Sequence, residues 1–125
     1  MKSLFNIIAS SAILLSSSVY AGSSDTKVAL VPGGPHPYFG AWEKAGQDAV
    51  KDFGLGAADY KVPAEWDLSQ QNELIESLVA RGYNAVLVFP GDAVGTNKIL
   101  GELDDAGIPT AALAGCVEQP TKAKM

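Results

Sequence analysis

Strand-like runs alternate with longer segments of helical periodicity along most of this chain, and no other feature constrains the fold as strongly. The strand-like runs cover residues 28–31, 60–63, 85–89 and 110–113. Between them, apolar residues recur at three- and four-residue spacing over residues 39–53, 68–79 and 93–106. This order predicts an α/β fold: an open, doubly wound parallel sheet with helices on both faces and the strand order 2-1-3-4.

The ends of the predicted elements carry recognisable signals. Asp67 is placed to cap the second helix, with Gln70 three residues further on. A glycine follows each predicted helix, at positions 54, 82 and 107. Phe53 and Val94 fall on the apolar stripes and are expected to face inward. Pro63 removes a ladder donor, which suits the second strand to an edge or a strand end.

The amino terminus predicts export. Met1 and Lys2 precede an apolar run over residues 4–15, and small residues lead to Ala21, as in a secretory signal peptide covering residues 1–21. We expect a polar leader over 22–26, one domain over 27–116, a tail over 117–125, and an exported mature chain. No second apolar run approaches the roughly 20 residues of a membrane helix, so no membrane insertion of the mature chain is expected.

The charge of the chain argues against some partners. Nine Lys and Arg stand against 14 Asp and Glu, for a formal net charge of −5. No basic cluster appears, so nucleic acid and anionic membrane surfaces are poor partners.

The loop after the first strand is the first candidate ligand site, because doubly wound sheets bind ligands at the carboxyl ends of their strands. This loop contains His36, Tyr38 and Phe39. Exposed aromatic faces here can stack on the apolar face of a sugar ring. We favour a ligand-facing Tyr38, and a Trp42 that packs on the sheet.

Two further candidates follow other strands. Asp92 can accept hydrogen bonds from ligand hydroxyls or cap its own helix, and both roles can coexist because a carboxylate has two oxygens. Trp66 either contacts ligand or belongs to a surface loop with one buried ring. The loop after the fourth strand offers backbone groups and the thiol of Cys116, which is either a free thiol or paired with a cysteine on polypeptide following Met125.

The residue types give little support for catalysis. With one His and one Cys, the usual ligands of a zinc site are not assembled, and no Gly-x-Ser-x-Gly motif occurs. His36 stands between two prolines and is better explained as a hydrogen-bonding loop residue than as a general base. We therefore expect no enzyme activity, no metal and no cofactor.

Several segments together resemble a known family. They are residues 28–31 followed by Pro37, Tyr38 and Phe39, and residues 74–86, 90–94 and 106–109. In these the chain resembles the periplasmic sugar-binding proteins of ABC transporters with the ribose-binding type of fold. The resemblance implies two lobes that close on a sugar or polyol, delivery to a transporter permease, and ligand contacts from Tyr38, Phe39 and Asp92.

The chain departs from that family in two places. Many relatives carry an Asp-Arg pair after the fourth strand, where Ala114 and Gly115 stand here, so a ribose-like ligand is not expected. Relatives also have a second lobe, so the chain is expected to be the N-terminal lobe with a missing C-terminal lobe.

Three alternatives remain open from the residues. The effector domain of a repressor has this architecture but needs a DNA-binding segment where the signal peptide stands. A small exported flavodoxin-like enzyme would need a catalytic His, Ser or carboxylate pair at the strand ends. A non-functional truncated gene product is the third.

Overall fold

A computed structural model describes residues 23–117. The predicted signal peptide and residues 118–125 of the predicted tail lie outside the described residues. Within residues 23–117, the strands are β1 (Lys27–Val31), β2 (Ala57–Tyr60), β3 (Ala85–Val88) and β4 (Thr110–Ala112). The α-helices of this range are α1 (Gly40–Phe53), α2 (Leu68–Ala80) and α3 (Thr96–Asp105), and short 3₁₀ turns cover Ser23–Asp25 and Pro37–Phe39. None of the helices in this range is long and apolar enough to cross a membrane.

The strands form one parallel sheet in the order β2-β1-β3-β4, which confirms the predicted topology. β1 lies in the centre of the sheet, with Val28 beside Ala58 on one side and beside Ala85 on the other. The order reverses at β1, since the chain moves outward to β2 and then crosses back to β3. In a sheet of this kind the loops after the strands gather at one edge.

One face of the sheet packs under α2 and α3 and forms the main core. Side chains alternate between the two faces along a strand, so Ala29 and Val31 point to the same face. They meet Ile75 and Leu78 of α2, and Leu100 of α3. Val117, at the start of the predicted tail, is also buried in this core.

Among the helices of residues 23–117, α1 lies on the opposite face. Here Val28, Leu30 and Leu87 line a groove together with Trp42 and Gly46 of α1, so Trp42 lies on the side of α1 that borders the sheet. An apolar groove of about 340 Å³ remains beside the helix. The two faces of the sheet are therefore covered unequally.

The second strand lies three residues earlier than predicted, at Ala57–Tyr60 instead of 60–63. Gly54 ends α1 with a left-handed φ of 66°, and the Gly56 amide then donates to the Thr26 carbonyl at 2.9 Å. With these two glycines the chain reaches the side of β1 within four residues of the end of α1. Alanine has little intrinsic preference for strands, so the sequence pattern does not show where β2 begins. Pairing with β1 determines the position of β2.

The inward orientation predicted for Phe53 and Val94 is wrong. Phe53 is the last residue of α1 and is 69% exposed, because no strand residue covers its ring at the helix end. Val94 is 57% exposed and lies in a turn before α3, which starts at Thr96 and not at residue 93.

One hydrogen bond joins the edge strand to the chain before β3. The Tyr83 hydroxyl donates to the Asp59 carboxylate, and this bond, with partial burial, raises the pKa of Tyr83 above its usual value. A raised pKa in the folded state contributes stability that is complete below about pH 10 and is lost as the pH rises through the folded-state pKa.

We therefore expect the free energy of unfolding of Tyr83→Phe to fall less steeply above pH 10 than that of the parent chain. Urea titrations at pH 8, 9, 10 and 11, followed by circular dichroism, measure this difference. A constant gap between the two proteins across the whole range would contradict it.

Candidate functional site

Loops from all four strands meet at the carboxyl edge of the sheet. A Cβ atom added to Gly33 after β1 would lie 2.7 Å from the Gly91 Cα and 3.0 Å from the Trp66 ring. Gly33 therefore lies against the loops that follow β3 and β2. The contact is so close that Gly33 has no space for a side chain. A Cβ at Gly115 after β4 would lie 3.3 Å from the Phe89 ring. We call these loops, residues 32–39, 61–67, 89–95 and 113–117, the rim.

Phe39 is the centre of an aromatic cluster at the rim and is only 2% exposed. Its ring lies 5.1 Å from those of Tyr38 and Trp42 and 5.0 Å from that of Phe89, edge to face in each case. The Trp66 ring stacks on it at 6.3 Å with an interplanar angle of 28°. The structure thus brings Tyr38, Phe39 and Trp66 together, with Phe39 as the packed member.

Tyr38 is the exposed aromatic residue of the β1 loop. Its side chain is 62% exposed and contacts Phe39 along one edge. The His36 Nδ1 accepts a hydrogen bond from the Tyr38 amide at 3.1 Å and caps the 3₁₀ turn Pro37–Phe39. His36 is therefore a hydrogen-bonding loop residue, as predicted, and it fixes the backbone that carries Tyr38.

Trp66 presents part of its ring at the rim. It is 50% exposed, with Phe39 stacked against it and Phe89 at its edge. The next residue, Asp67, accepts a hydrogen bond from the Gln70 amide at 2.9 Å, which confirms the predicted cap of α2. This cap places Trp66 immediately before the first turn of the helix.

Asp92 caps the turn that leads into α3. Its Oδ1 accepts from the Val94 amide at 2.9 Å and from the Gly95 amide at 2.5 Å. The predicted helix cap is therefore wrong: Asp92 caps the preceding turn, and the N-cap residue of α3 is Gly95, which makes no side-chain cap bond. Among residues 23–117 the Oδ2 atom accepts no hydrogen bond, so it remains available at the rim.

Two further residues at the rim were not predicted as site residues. Gln71 is fully buried in α2, and its amide bonds the Phe89 carbonyl and the Gly91 amide at 2.8 and 3.0 Å. Phe89 belongs to the aromatic cluster and not to a strand. The signal for Gln71 was its spacing: it lies four positions before Ile75 on the apolar stripe, where a polar residue needs a buried partner.

Charge at the rim is negative. Its loops carry Glu65, Asp67 and Asp92 against one lysine, Lys61, which directly follows β2. Cys116 is exposed and forms no disulfide within the described range. In that range no three His, Cys, Asp or Glu side chains cluster as metal ligands would.

Comparison with known proteins assigns the family. Residues 28–120 match the periplasmic binding protein domain family. The chain therefore belongs to this family of solute-binding transport proteins, and its fold is that of one lobe of such a protein. Over 110 residues it is 24% identical to the ABC transporter periplasmic-binding protein YphF of Escherichia coli K12, covering 86% of this chain and 34% of that protein.

Solved structures show the same fold. LsrB from Clostridium saccharobutylicum, in complex with AI-2, matches with a TM-score of 0.71 at 25% identity, over 79% of this chain and 30% of that one. A solute-binding protein from Burkholderia graminis, in complex with D-arabinose, matches with a TM-score of 0.66 at 21% identity, over 72% and 31%. The chain spans about a third of the length of these relatives.

Proposed function

We propose that this chain is the N-terminal ligand-binding lobe of a periplasmic receptor that delivers a sugar or polyol to an ABC importer. The observation that carries the proposal is that Tyr38 and Trp66 both contact Phe39, while Gly91, the neighbour of Asp92, lies against Gly33 of the β1 loop. Export through the predicted signal peptide would place this lobe in the periplasm, where such a receptor works. The solved relatives bound to D-arabinose and D-allose support a sugar as the ligand class.

The exposed rings and the carboxylate suit different parts of a sugar. Tyr38 and Trp66 offer ring faces for the C–H surface of a pyranose or furanose. The free Oδ2 of Asp92 can accept hydrogen bonds from hydroxyls, and bonds to a charged acceptor are stronger than neutral ones. Because the rim loops carry three carboxylates against one lysine, we expect uncharged ligands to bind in preference to sugar phosphates.

The second half of the site belongs, in this proposal, to a C-terminal lobe. A micromolar receptor binds with about −8 kcal/mol, and one lobe with half of the contacts would retain millimolar affinity. Closure of two lobes would bury the ligand and form the surface that a permease recognises. This chain alone therefore acts as a weak half-site.

The proposal is tested by titrating the full chain with arabinose, allose and glycerol and following amide shifts by NMR. We expect saturable shifts in the rim loops at millimolar sugar, reduced about tenfold in apparent affinity by Tyr38→Ala and by Asp92→Asn. Phe53→Ala is the matched control, since it removes an equally exposed aromatic ring at the end of α1, outside the rim. Shifts that are absent, or that respond equally to all three variants, would contradict the proposal.

A further inference from the structure

Gln71 is a fully buried polar side chain whose amide group is satisfied at both ends. Its Nε2 donates to the Phe89 carbonyl at 2.8 Å, and its Oε1 accepts from the Gly91 amide at 3.0 Å. Both partners lie in one stretch of three residues after β3. A buried amide with both atoms bonded holds its partners in a defined geometry, because losing either bond leaves a buried polar atom unpaired.

These two bonds take the place of strand-to-strand hydrogen bonds just after the end of β3. The Phe89 amide still donates to the Val31 carbonyl of β1 at 3.0 Å. Pro90 has no N–H to donate, and the Gly91 amide is bonded to Gln71. After the Phe89 amide, the chain between β3 and Asp92 is therefore held to α2 through one side chain, which bonds the Phe89 carbonyl and the Gly91 amide.

The same stretch is confined from the other side by the β1 loop. A Cβ on Gly33 would overlap the Gly91 Cα at 2.7 Å, and a Cβ on Gly91 would lie 3.0 Å from the Gln71 Oε1. Gly91 thus fits between Gly33 and Gln71 without space for a side chain. Asp92 follows directly, and its Oδ1 is committed to the Val94 and Gly95 amides.

We propose that Gln71 is the positioning residue of the rim: it holds the Phe89–Gly91 stretch and so aims the Oδ2 atom of Asp92 at ligand. The role in ligand binding rests on the proposed function. Gln71 acts through Asp92 and not by touching ligand, because its own side chain is fully buried under the loop.

The first test compares Gln71→Met with the parent full chain by amide hydrogen exchange. Losing an acceptor worth about 1 kcal/mol should speed exchange of the Gly91 amide about fivefold. The Val86 amide, bonded to the Pro109 carbonyl inside the sheet, is the internal control and should not change. Equal acceleration at both amides would mean that Gln71 only stabilises the fold, and no acceleration at Gly91 would overturn the proposal.

A second variant provides a rescue that a general loss of stability would not show. In Gln71→Glu the protonated acid can donate to the Phe89 carbonyl and accept from Gly91, whereas the ionised form cannot donate. Burial raises the pKa of a carboxyl group. The carbonyl carbon of Phe89 should therefore return towards its parent NMR chemical shift as the pH falls in Gln71→Glu, with no such return in Gln71→Met.

A double-mutant cycle links Gln71 to ligand. If Gln71 acts through Asp92, then Gln71→Met should weaken sugar binding about tenfold in the parent and hardly at all in Asp92→Asn. Full additivity would overturn the positioning role in binding, even in a chain that binds sugar. If the parent binds no sugar, the proposed function fails, and Gly91 exchange in Gln71→Met still decides whether Gln71 positions the loop.

Discussion

Phe39→Ala is expected to lower the free energy of unfolding by about 3 to 5 kcal/mol, a large part of the roughly 5 to 15 kcal/mol available to a small domain. The ring is 2% exposed and contacts the rings of Tyr38, Trp66 and Phe89 in three loops and that of Trp42 in α1. Removing it leaves a cavity under the rim that the glycine-rich loops would have to collapse to fill. Urea unfolding followed by circular dichroism measures the loss.

Tyr38→Ala is the matched control for Phe39→Ala. Its ring is 62% exposed and has one edge contact with Phe39, so its removal should cost less than about 1.5 kcal/mol. Yet Tyr38→Ala is the variant expected to weaken sugar binding. Equal destabilisation by the two substitutions would show that Phe39 is not the packed centre of the cluster.

Gly46→Ala is expected to destabilise the chain by about 1 to 2 kcal/mol. A Cβ at this position would lie 2.3 Å from the Ala58 carbonyl oxygen of β2 and 3.1 Å from the Leu30 side chain. Backbone of the edge strand cannot move aside as a flexible side chain can, so α1 must lift from the sheet. Overpacking of this kind typically costs 1 to 3 kcal/mol, and it outweighs the roughly 1 kcal/mol that alanine gains over glycine in a helix.

Gly101→Ala separates the two effects. Gly101 also lies inside a helix, α3, but a Cβ there meets nothing within 4 Å. The substitution should therefore stabilise the chain by about 0.5 to 1 kcal/mol through helix propensity alone. If both variants shift the urea midpoint in the same direction, the close contact between α1 and β2 is not what limits Gly46.

The topology could be predicted from the sequence because buried parallel strands and amphipathic helices leave different periodicities. Residues 85–88 are apolar throughout and follow a glycine-terminated helix, so β3 was unambiguous. β2 was not, because Ala57 and Ala58 carry no strand signal and their position comes from pairing with β1. The orientation of Phe53 was predicted wrongly because periodicity does not show where along a helix the contact with the sheet ends.

The sequence predicted those members of the candidate site whose residue type alone suggests ligand contact. Tyr38, Trp66 and Asp92 could be chosen because exposed aromatic rings and a carboxylate after a strand suggest ligand contact. The sequence did not show that Tyr38 is exposed and Phe39 is buried, because adjacent residues on a 3₁₀ turn face different directions. Gln71 was missed because its two partners lie 18 and 20 positions away, and no local pattern encodes such a distance.

The loop after β4 has a practical consequence for experiments in solution. Cys116 is exposed, it is the chain's single cysteine, and its neighbour Gly115 lies against the Phe89 ring. A maleimide fluorophore coupled there would occupy one known place beside the rim, with no background thiols to remove. Its emission and anisotropy would then follow loop rearrangement on solute addition without any engineered attachment point.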